Sequence, residues 1–141
     1  MLVIDASALV EVLVVDPADI PELVARVGSA EWMSAPDLLD YEVLNVLRKL
    51  VLRDAIDVEF AESCRLALTE LRVSRFALTE TMAERVWELR HGLSAYDAAY
   101  VGLAEHLNVP LITADRRLVR AATALTAIHI EDYAGAAASS G

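Results

Sequence analysis

Two short apolar stretches in this chain end in an aspartate. Leu2-Val3-Ile4 runs into Asp5, and Leu111-Ile112-Thr113 reaches Asp115 one alanine later. A third aspartate, Asp97, stands three residues after Ser94 in LSAYDAAYVGLAEHL, and Glu42 lies within PDLLDYEVLNVLRKL. Each has an ordinary reading. Asp5 or Ser7 could cap a first helix, Ser94 and Asp97 match a capping box, and Asp115 could cap a helix that begins at Arg116. Glu42 falls in a helix interior, where its ordinary reading is a solvated edge. Four carboxylates from four segments converging on one crevice would be another matter. Like charges that close repel unless a cation sits among them, and an all-oxygen donor set suits Mg²⁺ and Mn²⁺. Such a cation activates water and stabilises charge building on a phosphodiester as it is hydrolysed.

Basic and polar residues lie near these acids. Leu38, Glu42, Asn45 and Lys49 recur at helical spacing, apart from the apolar face of Leu39, Val43, Val46, Leu47 and Leu50. Along that stripe the order is acid, amide, base. Lys49, with Arg116 or Arg117 behind Asp115, would be placed to grip phosphates, and Thr113 offers a hydroxyl two residues before Asp115. Surface ion pairing is the ordinary reading of the arginines.

The elements that must hold these groups follow from hydrophobic periodicity. Residues 2–4 read as a buried strand, 8–15 as a helix, and 20–27 as a second helix after a turn between Pro17 and Pro21. A brief strand is expected over 32–34, ended by Pro36, then a long helix over 37–53 with Asp37 as its N-cap. Helices are predicted over 58–71 and 80–90, with a strand in VSRFAL between them. A further helix starts at Ser94 and ends at Asn108-Val109-Pro110. Strands over 111–113 and 128–130 flank a small helix over 116–122. Short all-apolar strands alternating with helices imply an α/β three-layer sandwich, a parallel sheet flanked by helices on both faces. Ligands of such sheets gather at the carboxyl ends of the strands, where Asp5 and Asp115 would sit.

The chain of 141 residues suits one domain, expected over 1–133, with AGAAASSG (134–141) as a flexible tail. Hydrophobic residues reach 56% and mean hydropathy is +0.41, yet no apolar run approaches the roughly 20 residues that cross a bilayer. The apolar surplus points to a core plus a sizeable interface. No signal peptide is evident, and Cys64, alone, forms no internal disulfide, so a cytoplasmic location is expected. His91, His106 and His129 lack metal-ligand spacing. A formal net charge of −10 argues against broad nucleic-acid binding, which needs clustered cations.

VIDASALVE, PDLLDYEVLNVL and LSAYDAAYVGLAEHLNVPLITADRRL, in that order and separation, closely resemble PIN-domain ribonucleases, and among these the VapC-type toxins of bacterial toxin–antitoxin pairs. The resemblance spans almost the whole chain. It implies that Asp5, Glu42, Asp97 and Asp115 hold Mg²⁺ or Mn²⁺ and are catalytic, with Ser7, Thr113 and Asn45 supporting them. It also implies metal-dependent endonucleolytic cleavage of RNA, a cognate antitoxin that covers the groove, and a homodimer or higher assembly. One departure is visible. Many relatives carry another aspartate just after the position of Asp115, where Arg116-Arg117 stand here. That departure points toward a one-metal working state. The acidic net charge favours narrow recognition of a structured RNA, such as tRNA or rRNA, over general degradation.

Other classes fit less well. A phosphoryl-accepting signalling domain needs a lysine at the end of a late strand, and the single lysine, Lys49, lies in a helix. Haloacid-dehalogenase-type phosphotransfer wants an aspartate where Ser7 stands, and DASALVE has no glycine for a dinucleotide-binding turn. A catalytically silent PIN-like binding module is the standing alternative.

Overall fold

The structure, a computed structural model, describes residues 1–135. Along them run β1 (Leu2–Ile4), α1 (Ala6–Val14), α2 (Pro21–Gly28), β2 (Met33–Pro36), α3 (Leu39–Leu52), α4 (Val58–Glu70) and β3 (Val73–Phe76). Then follow α5 (Glu80–Glu88), α6 (Ala95–Leu107), β4 (Leu111–Thr113), α7 (Arg116–Ala122) and β5 (Ile130–Asp132). The strands form one sheet in the order β3-β2-β1-β4-β5. Every pairing is parallel, with Val3 opposite both Ser34 and Leu111.

Leu2, Val3 and Ile4 are fully buried, as are Leu111 and Ile112 to within a percent. That is the pattern of strands covered on both faces. Right-handed crossovers explain the covering. The chain steps from β1 to β2 to β3 with α1–α4 on one face, where α1 packs on α2, α3 and α4. It then returns through α5 and α6 on the other face to β4, on the far side of β1. Small residues such as Ala98 and Ala104, both fully buried, let α6 lie against β1, β2 and β4, and Gly102 lies beside Arg85 and Val86 of α5. Asn108, in the left-handed conformation (φ 53°), ends it.

The strand order reverses between β1 and β4. A crevice must open there at the carboxyl ends, because the connections from these two strands leave on opposite faces. Among the described residues no helix is long and apolar enough to cross a membrane.

Two expectations are corrected. Asp37 does not cap α3: its N–H bonds the Phe76 carbonyl, which prolongs the β2–β3 ladder past Pro36, and the helix begins at Leu39 after Leu38 without a side-chain cap. The last strand lies at 130–132 rather than 128–130, since Thr126 Oγ1 takes the Ile128 N–H into a turn. Of the expected tail, Ala134 and Gly135 form a turn tied to Asp132 and Arg116; residues 136–141 lie outside the described residues.

Candidate active site

Asp5 leaves β1 and caps α1, its Oδ1 accepting from the Ala8 N–H at 2.9 Å. Ser7 Oγ donates to the same oxygen at 2.7 Å, and Thr113 Oγ1, at the end of β4, donates to Oδ2 at 2.5 Å. The two hydroxyls are themselves held: the Ala114 N–H donates to Ser7 Oγ and the Asp115 N–H to Thr113 Oγ1. Asp115 caps α7, accepting from the N–H groups of Arg117 (2.9 Å) and Leu118 (3.3 Å). One hydroxyl–carboxylate lattice thus ties the ends of the two strands that flank the reversal.

Asp97 comes from the first turn of α6. Ser94 caps that helix through the Asp97 N–H, while the Asp97 carboxylate faces Arg117 Nη2 at 3.2 Å. The same nitrogen lies 3.3 Å from Asp115 Oδ2, so one guanidinium bridges two acids. Glu42 projects from α3, and its Oε1 accepts from Tyr100 Oη of α6 at 2.7 Å.

All four acids line one crevice of about 250 Å³ together with Ser7, Asn45, Val46, Lys49, Tyr100 and Arg117. Of the residues named from sequence, Thr113 lies wholly buried beneath the lining, acting through Asp5 and Asp115. Arg116 is corrected: its Nη2 bonds the Ala134 carbonyl at 3.0 Å, and it does not line the crevice. Tyr100 was missed because it reads as a core residue of an apolar helix. Its spacing, one turn after Asp97, is the signal that could have found it.

Burial dominates the electrostatics. Asp5 is 5% exposed, and desolvation pushes its carboxyl up to about 6, against three hydrogen bonds that pull it down, with Asp115 adding repulsion. Glu42 is raised by burial and by Asp97, and the Tyr100 hydrogen bond opposes this. Burial and then the Glu42 carboxylate raise the Tyr100 phenol, which keeps its proton and acts as a donor.

The shift on Asp5 has a sign that can be checked. Between about pH 4 and 6 the folded state holds a proton that the unfolded chain has released. Stability from this group is therefore complete below about 4 and lost as pH rises through about 6. Asp5→Asn should raise the melting temperature at pH 7.5 in chelator, reflecting at most about 3 kcal/mol. The advantage should vanish near pH 4. A variant that melts below the parent at pH 7.5 would contradict this account of Asp5.

The donor set fits a hard divalent cation: carboxylate oxygens, no thiolate or imidazole, and a buried anion short of positive charge. As the side chains stand, no three of His, Cys, Asp or Glu among the described residues are grouped closely enough to hold one. Arg117 spans the gap between Asp97 and Asp115, and hydroxyls hold the inner two acids.

Comparison with known proteins bears on the family and the fold. A family model described as the PIN domain matches residues 2–124. Ribonuclease VapC1 of Mycobacterium tuberculosis is 42% identical over 120 residues, covering 84% of this chain and 89% of the relative. Ribonuclease VapC9 of the same organism is 41% identical over 118 residues, covering 84% and 88%. Among solved structures, the sarcin-ricin loop cleaving toxin VapC20 of M. tuberculosis superposes with a TM-score of 0.64 at 16% identity, over 86% of this chain and 95% of that one. VapBC2 of Rickettsia felis, bound to a promoter DNA fragment, gives 0.64 at 12% identity over 93% and 97%. These two likenesses concern the fold.

Proposed function

The chain belongs to the PIN-domain family and, within it, to the VapC ribonucleases, and from that premise we propose that it is the endoribonuclease toxin of a toxin–antitoxin pair, hydrolysing RNA phosphodiester bonds with Mg²⁺ or Mn²⁺ and silenced by its cognate antitoxin. The observation that carries this reading is the convergence of Asp5, Glu42, Asp97 and Asp115, from four segments, on one crevice at the strand reversal. The catalytic unit is residues 1–133.

Those four carboxylates would hold the cation. When bound, it supplies positive charge for the developing transition state and makes water a better nucleophile. The chain's own groups do the rest. Ser7 and Thr113 hold Asp5 in place, and Asn45 lines the wall beside Glu42. Lys49 and Arg117, on opposite walls, bind the phosphates that flank the scissile bond. With net charge −10 and two basic groups in the crevice, grip is local, which favours a structured RNA such as tRNA or rRNA.

Arg117 also explains why a single cation is the expected working state: its guanidinium already neutralises Asp97 and Asp115. It is 73% exposed, so the bridge is weak, about 0–1 kcal/mol. Arg117→Ala should therefore tighten Mn²⁺ binding by about threefold and raise the KM for RNA. Weaker Mn²⁺ binding in the variant would count against this role.

Exposed apolar surface supports protein partners. Leu44, Leu52 and Val58 border a cleft between α3 and α4, and Leu78 and Tyr96 border a groove beside the crevice. An antitoxin and a second copy of the chain are the proposed occupants. The alternative, a silent binding module, draws on the guanidinium that stands between two of the acids. Incubating the partner-free protein with structured RNA, in Mn²⁺ and then in chelator, separates the two. Discrete metal-dependent fragments support the nuclease, absent cleavage of every RNA supports the module, and metal-independent cleavage counts against the metal-site reading.

A further inference from the structure

Glu42 is set apart from the other acids by how it is held. Asp5 and Asp115 cap helices and are fixed by backbone N–H groups. Glu42 lies in the first turn of α3 but caps nothing, and it sits on a longer side chain, half-buried, with rotamer freedom that costs on the order of 1–2 kcal/mol to freeze. Its hydrogen bond comes from Tyr100 Oη, 2.7 Å away and 58 residues along the chain. Tyr100 is 2% exposed, anchored by packing within α6, and lies one turn below Asp97. The bond therefore joins the two helical layers across the carboxyl edge of the sheet.

Resting on the metal-site reading above, we infer that Tyr100 positions Glu42 for the cation: its hydroxyl engages Oε1 and fixes the carboxylate where it lines the crevice. Tyr100 touches neither cation nor RNA. It removes the side-chain freedom that binding would otherwise have to freeze. Groups that orient metal ligands in this way commonly change affinity by 10–100-fold when lost.

The test is a double-mutant cycle read by Mn²⁺ titration, using the parent, Tyr100→Phe, Glu42→Ala and the double variant. Phenylalanine keeps the ring and its packing, so the melting curve should be preserved. Tyr100→Phe should weaken Mn²⁺ binding about tenfold and lower kcat with KM for RNA unchanged, and excess Mn²⁺ should restore kcat. In the Glu42→Ala background the same change should cost nothing more. Unchanged Mn²⁺ affinity in Tyr100→Phe overturns the inference, as does an equal tenfold loss without Glu42. A parent protein that binds no Mn²⁺ overturns the metal-site reading itself, and the parent titration alone reports that.

Discussion

Asp97→Asn is expected to lower metal-dependent RNA cleavage by about a thousandfold while leaving thermal stability nearly untouched. The loss follows from removing one anionic ligand of a cation whose charge supplies several kcal/mol of transition-state stabilisation, and about 4 kcal/mol is a factor of a thousand. Preserved stability follows from what Asp97 does not do. The cap of α6 is Ser94, and the Asp97 carboxylate instead meets an exposed arginine. Asparagine keeps the shape and removes the charge. Single-turnover cleavage at saturating Mn²⁺, beside a melting curve, measures both halves. Full-rate cleavage by the variant would remove Asp97 from the catalytic set. The same change at Asp115 would be harder to read, because Asp115 also caps α7, a role worth typically about 1 kcal/mol.

Thr113→Val should show the opposite balance, with stability and activity falling together. Valine fills the space of threonine, so no cavity forms. Two bonds go instead, one to Asp5 Oδ2 and one from the Asp115 N–H. Asp5 is buried and the Asp115 N–H is part-buried, and an unsatisfied buried group costs about 1–3 kcal/mol. A drop of roughly 3 kcal/mol, or about 10 °C in melting temperature, is the expected result, and cleavage falls because Asp5 and Asp115 lose their shared anchor. A variant that melts with the parent would show that the hydroxyl lattice is dispensable.

Much of this arrangement was legible in the chain because its signals were local. An apolar triplet followed by an aspartate marks a buried strand delivering a carboxylate, and both Asp5 and Asp115 were found that way. The helix around Glu42 was legible from its two faces. What was not legible depends on partners distant in sequence. Asp37 has the residue type of a cap, yet the ladder from β3 draws its backbone into the sheet. The shift of β5 arises at a sheet edge, where half-buried Ile130 and Glu131 follow no strong alternation. Arg116 and Arg117 are adjacent and alike, but successive positions at a helix start diverge by about a hundred degrees. One meets the acids and the other meets the Ala134 carbonyl. Tyr100 was hidden by its own burial.

The central place of β1 sets a clock on the whole molecule. Its neighbour β2 follows within a few tens of residues, but β4, its other neighbour, begins only at Leu111. Asp5 is thus made 108 residues before Thr113 and waits for Thr113 and Asp115 before its surroundings exist. Chains grow from the N-terminus, so an unfinished copy on the ribosome carries the first acid without the last one. A carboxylate cluster built in this order stays incomplete until the segment that carries Thr113 and Asp115 has emerged.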